Sequence, residues 1–155
     1  MTTVVLGVGN TLLTDEGVGV HVVEQLRRDY PDLDAVEYLD GGTLSFTLAG
    51  PMAEAEQLII IDAAELKAAP GTVTLFENQA MDDYLGYGKR RSVHEVSLLD
   101  LLAIAHLTDS LPARRALIGI QPQELGWGDA PSPVVAAAIP QACAMALDLI
   151  RKWRQ

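Results

Sequence analysis

Apolar and polar positions along this chain change period several times, and each change marks an expected element. "TTVVLGVGN", residues 2–10, is a strand-length apolar run and reads as a buried strand. "DEGVGVHVVEQLRRDY" then switches to helical spacing, with Val18, Val22, Val23, Leu26 and Tyr30 along one side. "AVEYLD" predicts a second strand and "GGT" a turn, followed by a short helical segment broken by Gly50 and Pro51. "QLIIID" predicts a strongly apolar central strand, and "GTVTLF", alternating in period two, an edge strand. "SLLDLLAIAHL" has the spacing of an amphipathic helix, "RALIGIQP" that of a further strand, and residues 132–153 form the closing helix.

Strands alternating with helices imply an α/β fold with helices on both faces of a mostly parallel sheet. The length, 155 residues, suits one domain over 1–155 that buries roughly 68–70% of its unfolded-chain surface. Residues 130–147, "APSPVVAAAIPQACAMAL", approach the length of a membrane span, but three prolines and Gln141 make them a poor one. An Ala-rich helix packed on the sheet and restarted at Pro140 accounts for them better, so no membrane insertion is expected.

Charge narrows the function classes. A net charge of −10 argues against sequence-independent nucleic-acid binding, which needs Lys and Arg to neutralise phosphates. One cysteine, Cys143, excludes an internal disulfide framework and fits a reducing compartment, while the N-terminal "MTTVVLGVGN" lacks the basic region of a signal peptide. A cytoplasmic location is therefore expected. The basic segment "GYGKRRS", residues 86–92, reads as a solvated loop.

"GVGNTLLTDEGVG", residues 7–19, looks half like a phosphate-binding loop, yet Leu12 stands where a dinucleotide fingerprint needs its third glycine. Asp15 and Glu16 then open the next helix, where a phosphate loop would offer bare N–H groups. The stretch suits a cation, although an acidic pair in a first helical turn also serves simply as cap and dipole partner.

Ligands of open α/β sheets bind beyond the carboxyl ends of the strands. The apolar runs end in Asn10 with Glu16 just beyond, in Asp40, in Asp62 and in Gln121, and parallel strands would bring these groups to one edge. Asp62, directly after "LIII", is costly to bury without a partner or a metal. His94, at the start of a helix with Ser92 as a candidate N-cap, sits where the helix dipole favours the neutral, metal-ligating imidazole. His21 and His106 are weaker candidates.

Other chemistries fall away. "HEVSL" has Leu98 where a zincin helix needs its second His, and no "GxSxG" elbow supplies a serine nucleophile. Cys143, in "QACAMAL", is expected to be a buried, inert core thiol. Glu16, Asp62 and His94 remain, a hard-to-intermediate ligand set with room for further ligands.

"GVGNTLLTDEGVGVHVVEQL", "DGGT", "LIIIDA", "HEVSLLDLLAIA" and "GIQP", in this order, closely resemble the endopeptidases that mature the large subunit of [NiFe] hydrogenases. The resemblance runs from Gly7 to the closing helix. It implies a three-layer α/β/α sandwich around a twisted, mostly parallel sheet, with Glu16, Asp62 and His94 contacting metal. It also associates Asp40 of "DGGT" with substrate handling or cleavage, so Asp40, Glu16, Asp62 and His94 are the candidate catalytic residues. The implied reaction is removal of a C-terminal extension from the large-subunit precursor once nickel is in place. Nickel would come with the substrate, no organic cofactor is implied, and a monomer is expected. Two other readings use the same residues: a nickel chaperone that cuts nothing, and a small-molecule metallohydrolase on the same fold.

Overall fold

The structure, a computed structural model, describes residues 2–42, 55–86 and 112–155. The apolar runs form one five-stranded sheet: β1 (Thr3–Val8), β2 (Val36–Gly42), β3 (Gln57–Ala63), β4 (Val73–Glu77) and β5 (Arg114–Ile120). Their spatial order is β2-β1-β3-β5-β4. The first three and β5 are mutually parallel, and among the described residues β4 pairs with β5 alone, antiparallel. "GTVTLF" is thus the edge strand its alternation predicts. Every residue of β1 and β3 is buried, as expected where a parallel sheet is covered on both faces.

On one face lie α1 (Val18–Asp29) and the closing helical pair, α3 (Pro133–Ala136) and α4 (Ile139–Trp153). Val18, Val22, Val23 and Leu26 of α1 meet Val5, Ile59, Ile61 and Ile118 of the sheet and Ala142, Ala146 and Ile150 of α4. The opposite face carries a smaller core in which Met81 of α2 (Gln79–Gly86) joins Leu6, Leu58, Ile60 and Leu117. Fully burying each such aliphatic side chain contributes roughly 1.5–3 kcal/mol, so the centre of the sheet is where stability concentrates. The strand ends are left to polar chemistry.

The closing segment restarts at Ile139, with Pro140 in the first turn where its missing N–H costs nothing. Pro133–Trp153 is long and apolar enough to cross a membrane, but its apolar side is the one packed on α1 and the sheet. Three local expectations change. "DGG" continues β2 to Gly42 in place of a turn, with the register shifting between Gly7 and Val8. Tyr30 lies beyond the end of α1 and is exposed, leaving the helix's apolar side to the other four residues. Helix α2 is not evident in the sequence pattern. The segments expected to be helical around residues 43–51 and 97–107, and the "GYGKRRS" loop beyond Gly86, lie outside the described residues.

Candidate active site

Parallel β1, β2, β3 and β5 put their carboxyl ends on one edge of the sheet, so Asn10, Asp40, Asp62 and Gln121 do share that edge. The chain leaves β1 through Asn10, whose side-chain Oδ1 accepts the Leu12 N–H at 2.9 Å, and enters a 3-10 turn over Thr14–Gly17. Helix α1 begins only at Val18, so Asp15 and Glu16 precede the helix instead of opening it.

Glycines set how closely this turn approaches the strands. Gly9 has φ +128°, and a Cβ there would fall 1.9 Å from the Glu16 carbonyl oxygen. One on Gly19 would fall 2.0 Å from the carbonyl oxygen of Ile61, the residue before Asp62. The glycines of "GVGNTLLTDEGVG" therefore bring the Glu16 turn against the ends of β1 and β3; backbone contact, not a phosphate cradle, explains them.

The acidic pair divides its work. Asp15 is fully buried; its Oδ2 accepts the N–H groups of Gln123 and Glu124 and the Ser132 hydroxyl, each at 2.8 Å, and its Oδ1 accepts the Ser132 N–H at 2.6 Å. Burial alone would raise the Asp15 carboxyl, but these hydrogen bonds hold it below its ordinary value of 3.8. Asp15 is thus a clamp between the first loop and the loop that follows β5, not a helix cap. Thr14 joins it: φ of 48°, a left-handed conformation uncommon for a β-branched residue, is secured by its N–H to Gly128 O at 2.9 Å and its hydroxyl to Glu124 O at 2.7 Å.

Glu16 is only 6% exposed, and burial pushes its carboxyl above the ordinary 4.5. Asp62 is 4% exposed at the end of β3. Both carboxylates are largely stripped of water, which is costly to the charged form unless charge or hydrogen bonding compensates. Asp40 differs. It is exposed, and its register opposite Gly7 puts it on the α1 face, whereas alternation along β3 puts Asp62 on the other. The edge thus offers carboxylates on both sides of β1.

Gln121 turns out to be structural: its Oε1 accepts the Leu66 N–H at 2.7 Å, and its backbone is bonded to Gly71 and Thr72. Cys143 is buried, its Sγ 3.8 Å from Val22 O, and burial pushes its pKa up to about 11. That is the inert core thiol the sequence predicts. His94 and His106 lie outside the described residues, and among the described residues no three His, Cys, Asp or Glu side chains come together as a metal site. His21, on α1, has its Nε2 buried without a hydrogen-bond partner among the described residues.

The fold and site define an α/β domain whose carboxyl sheet edge, the usual ligand-binding edge of such folds, gathers buried acidic side chains. The hydrogenase maturation protease family (HycI) matches residues 20–149. The chain is 38% identical over 153 residues to the hydrogenase 2 maturation protease of Escherichia coli, covering 98% of this chain and 92% of the relative. It is 36% identical over 151 residues to the hydrogenase expression/formation protein HoxM of Cupriavidus necator, covering 97% and 74%. The solved hydrogenase maturating endopeptidase HybD from E. coli superposes with TM-score 0.91 at 38% identity, over 98% of this chain and 93% of that one. The [NiFe] hydrogenase maturation protease HybD from Thermococcus kodakarensis does so with TM-score 0.82 at 30% identity, over 96% and 99%. The chain belongs to the hydrogenase maturation protease family and is a protease.

Proposed function

We propose that this protease removes the C-terminal extension of a [NiFe] hydrogenase large-subunit precursor after nickel insertion, using Glu16, Asp62 and His94 to hold the nickel that the substrate brings. The observation that carries the reading is the pairing of family membership with a rigidly placed, dehydrated Glu16 beside the end of β3. A buried carboxylate whose charged form is disfavoured gains most from an arriving cation, and an ion already partly ligated by substrate thiolates needs only a few more ligands. Asp40, exposed on the face of the sheet opposite Asp62, is assigned to the peptide in this reading. A metal there could polarise the scissile carbonyl or activate water. The protease works as a cytoplasmic monomer, which suits its single buried cysteine.

The test is to incubate the protein with nickel-loaded and nickel-free precursor and weigh the products. Loss of a C-terminal peptide from the loaded sample alone is the expected result. An unchanged mass in both would point to a chaperone, and hydrolysis of simple esters or peptides without precursor to a small-molecule hydrolase.

A further inference from the structure

Five large apolar side chains stand well exposed among the described residues, and three of them sit on the two loops that Asp15 clamps together. Leu12 is 57% exposed, Leu125 55% and Trp127 83%. The loops are also paired directly: Gly128 N–H donates to Leu12 O, and Thr14 N–H donates to Gly128 O, both at 2.9 Å. Leu12 precedes Glu16 by four residues, and the Thr14 hydroxyl holds the carbonyls of Glu124 and Gly126 on either side of Leu125, so the exposed apolar positions lie together as one shelf beside the Glu16 turn. They are held on ordered backbone, and their exposure is not a matter of a loose tip.

A tryptophan left this open on a monomer's surface marks a binding anchor, because it can bury a large area with little entropy to lose. Charge selects the occupant. Glu124 and Asp129 are exposed on the same loop, and neither residues 10–18 nor 121–132 contain Lys or Arg. A second copy of this chain, itself carrying −10, would set these acids against each other across a two-fold axis. A partner presenting apolar side chains flanked by cations fits.

We propose that Leu12, Leu125 and Trp127 form the docking shelf for the surface of the large-subunit precursor adjoining its scissile segment, a surface apolar at its centre and basic at its rim. The assignment rests on the function proposed above. Its consequence is division of labour: the carboxylate edge reads the metal, while the shelf supplies affinity for the protein around it.

The chain's two tryptophans allow a direct test, since Trp153 is buried and Trp127 is not. The protease is labelled with 5-fluorotryptophan, and the 19F resonance of Trp127 is assigned by its loss in Trp127→Phe. Unlabelled nickel-loaded precursor is then added to the labelled Glu16→Gln variant, and KM for the precursor is measured for wild type, Trp127→Ala and Leu12→Ser. Docking on the shelf shifts the Trp127 resonance, leaves that of Trp153 in place, and raises KM at least about tenfold in both variants, a loss of the size expected for an interface anchor. If wild type cuts the precursor while the Trp127 resonance stays still and both KM values remain within twofold, the shelf is not the docking surface and the function stands. A Trp127 shift that follows the protease's own concentration overturns the assignment in favour of self-association. Failure of wild type to cut the precursor at all removes the functional reading, and this inference with it.

Discussion

The carboxylate of Asp15 and the backbone amide of Ser132 are 117 residues apart in sequence and 2.6 Å apart in the fold. With Gln123 and Glu124 bound to the other oxygen, this contact fixes the Glu16 turn against the loop after β5. An Asn at position 15 would have to aim its amide nitrogen at one of those N–H donors. Asp15→Asn is expected to cost about 2–4 kcal/mol, lowering Tm by roughly 5–12 °C. A thermal melt superimposable on wild type would contradict the clamp.

The same clamp predicts a pH dependence with a definite sign. Because hydrogen bonding holds the Asp15 carboxyl below its ordinary value, its contribution is fully present above about pH 4 and fades as pH falls through the lowered value. Denaturant titrations of wild type and Asp15→Asn should therefore converge in stability below about pH 4. A gap that widens on acidification would mean the carboxyl is raised, not lowered.

Strands were legible in the sequence because fully buried parallel strands leave continuous apolar runs, as in "LIII", and an edge strand leaves alternation, as in "GTVTLF". Asp15 was not, since local rules treat an acidic pair before a helix as a cap, and its partners lie more than a hundred residues downstream. Gln121 marked the right edge of the sheet but spends its side chain on Leu66, a contact no spacing encodes. Helix α2 has eight residues, and among its described side chains Met81 is the one deeply buried apolar anchor, too little for a periodic signal. Gly19 is the instructive case. Its value lies in the space it leaves for the Ile61 carbonyl, which only the packed structure displays.

Gly19→Ala should accordingly act on the site as well as on the fold. The added methyl would push the start of α1 off the end of β3 and carry Glu16 with it, and a 1 Å misplacement costs about 100-fold in rate. Precursor cleavage is expected to fall by about that factor, alongside a destabilisation of about 1–3 kcal/mol. Wild-type melting together with wild-type cleavage would show that the close approach has no consequence.

Cys143 offers a contrasting prediction. With a pKa of about 11, roughly one thiol in a thousand is ionised at pH 8, so iodoacetamide should leave the native protein unlabelled and modify it only on unfolding. Cys143→Ser should keep cleavage largely intact with some loss of stability, the hydroxyl being a buried polar substitute. Rapid native labelling, or a folded serine variant that does not cut, would revive a thiol mechanism.

The central claim is that the turn after "GVGN" exists to present Glu16 to the substrate's nickel, and Glu16→Gln tests it most directly. Gln keeps the size of the side chain while removing the charge, and it relieves a buried carboxylate whose ionised form burial disfavours. The fold should therefore hold, with a melt at or above that of wild type. Cleavage of nickel-loaded precursor, followed by mass, should nonetheless fall at least about 100-fold, because a lost ligand breaks the grip on one ion. Cleavage by Glu16→Gln at the wild-type rate would contradict the account and leave Glu16 a structural acid beside Asp15.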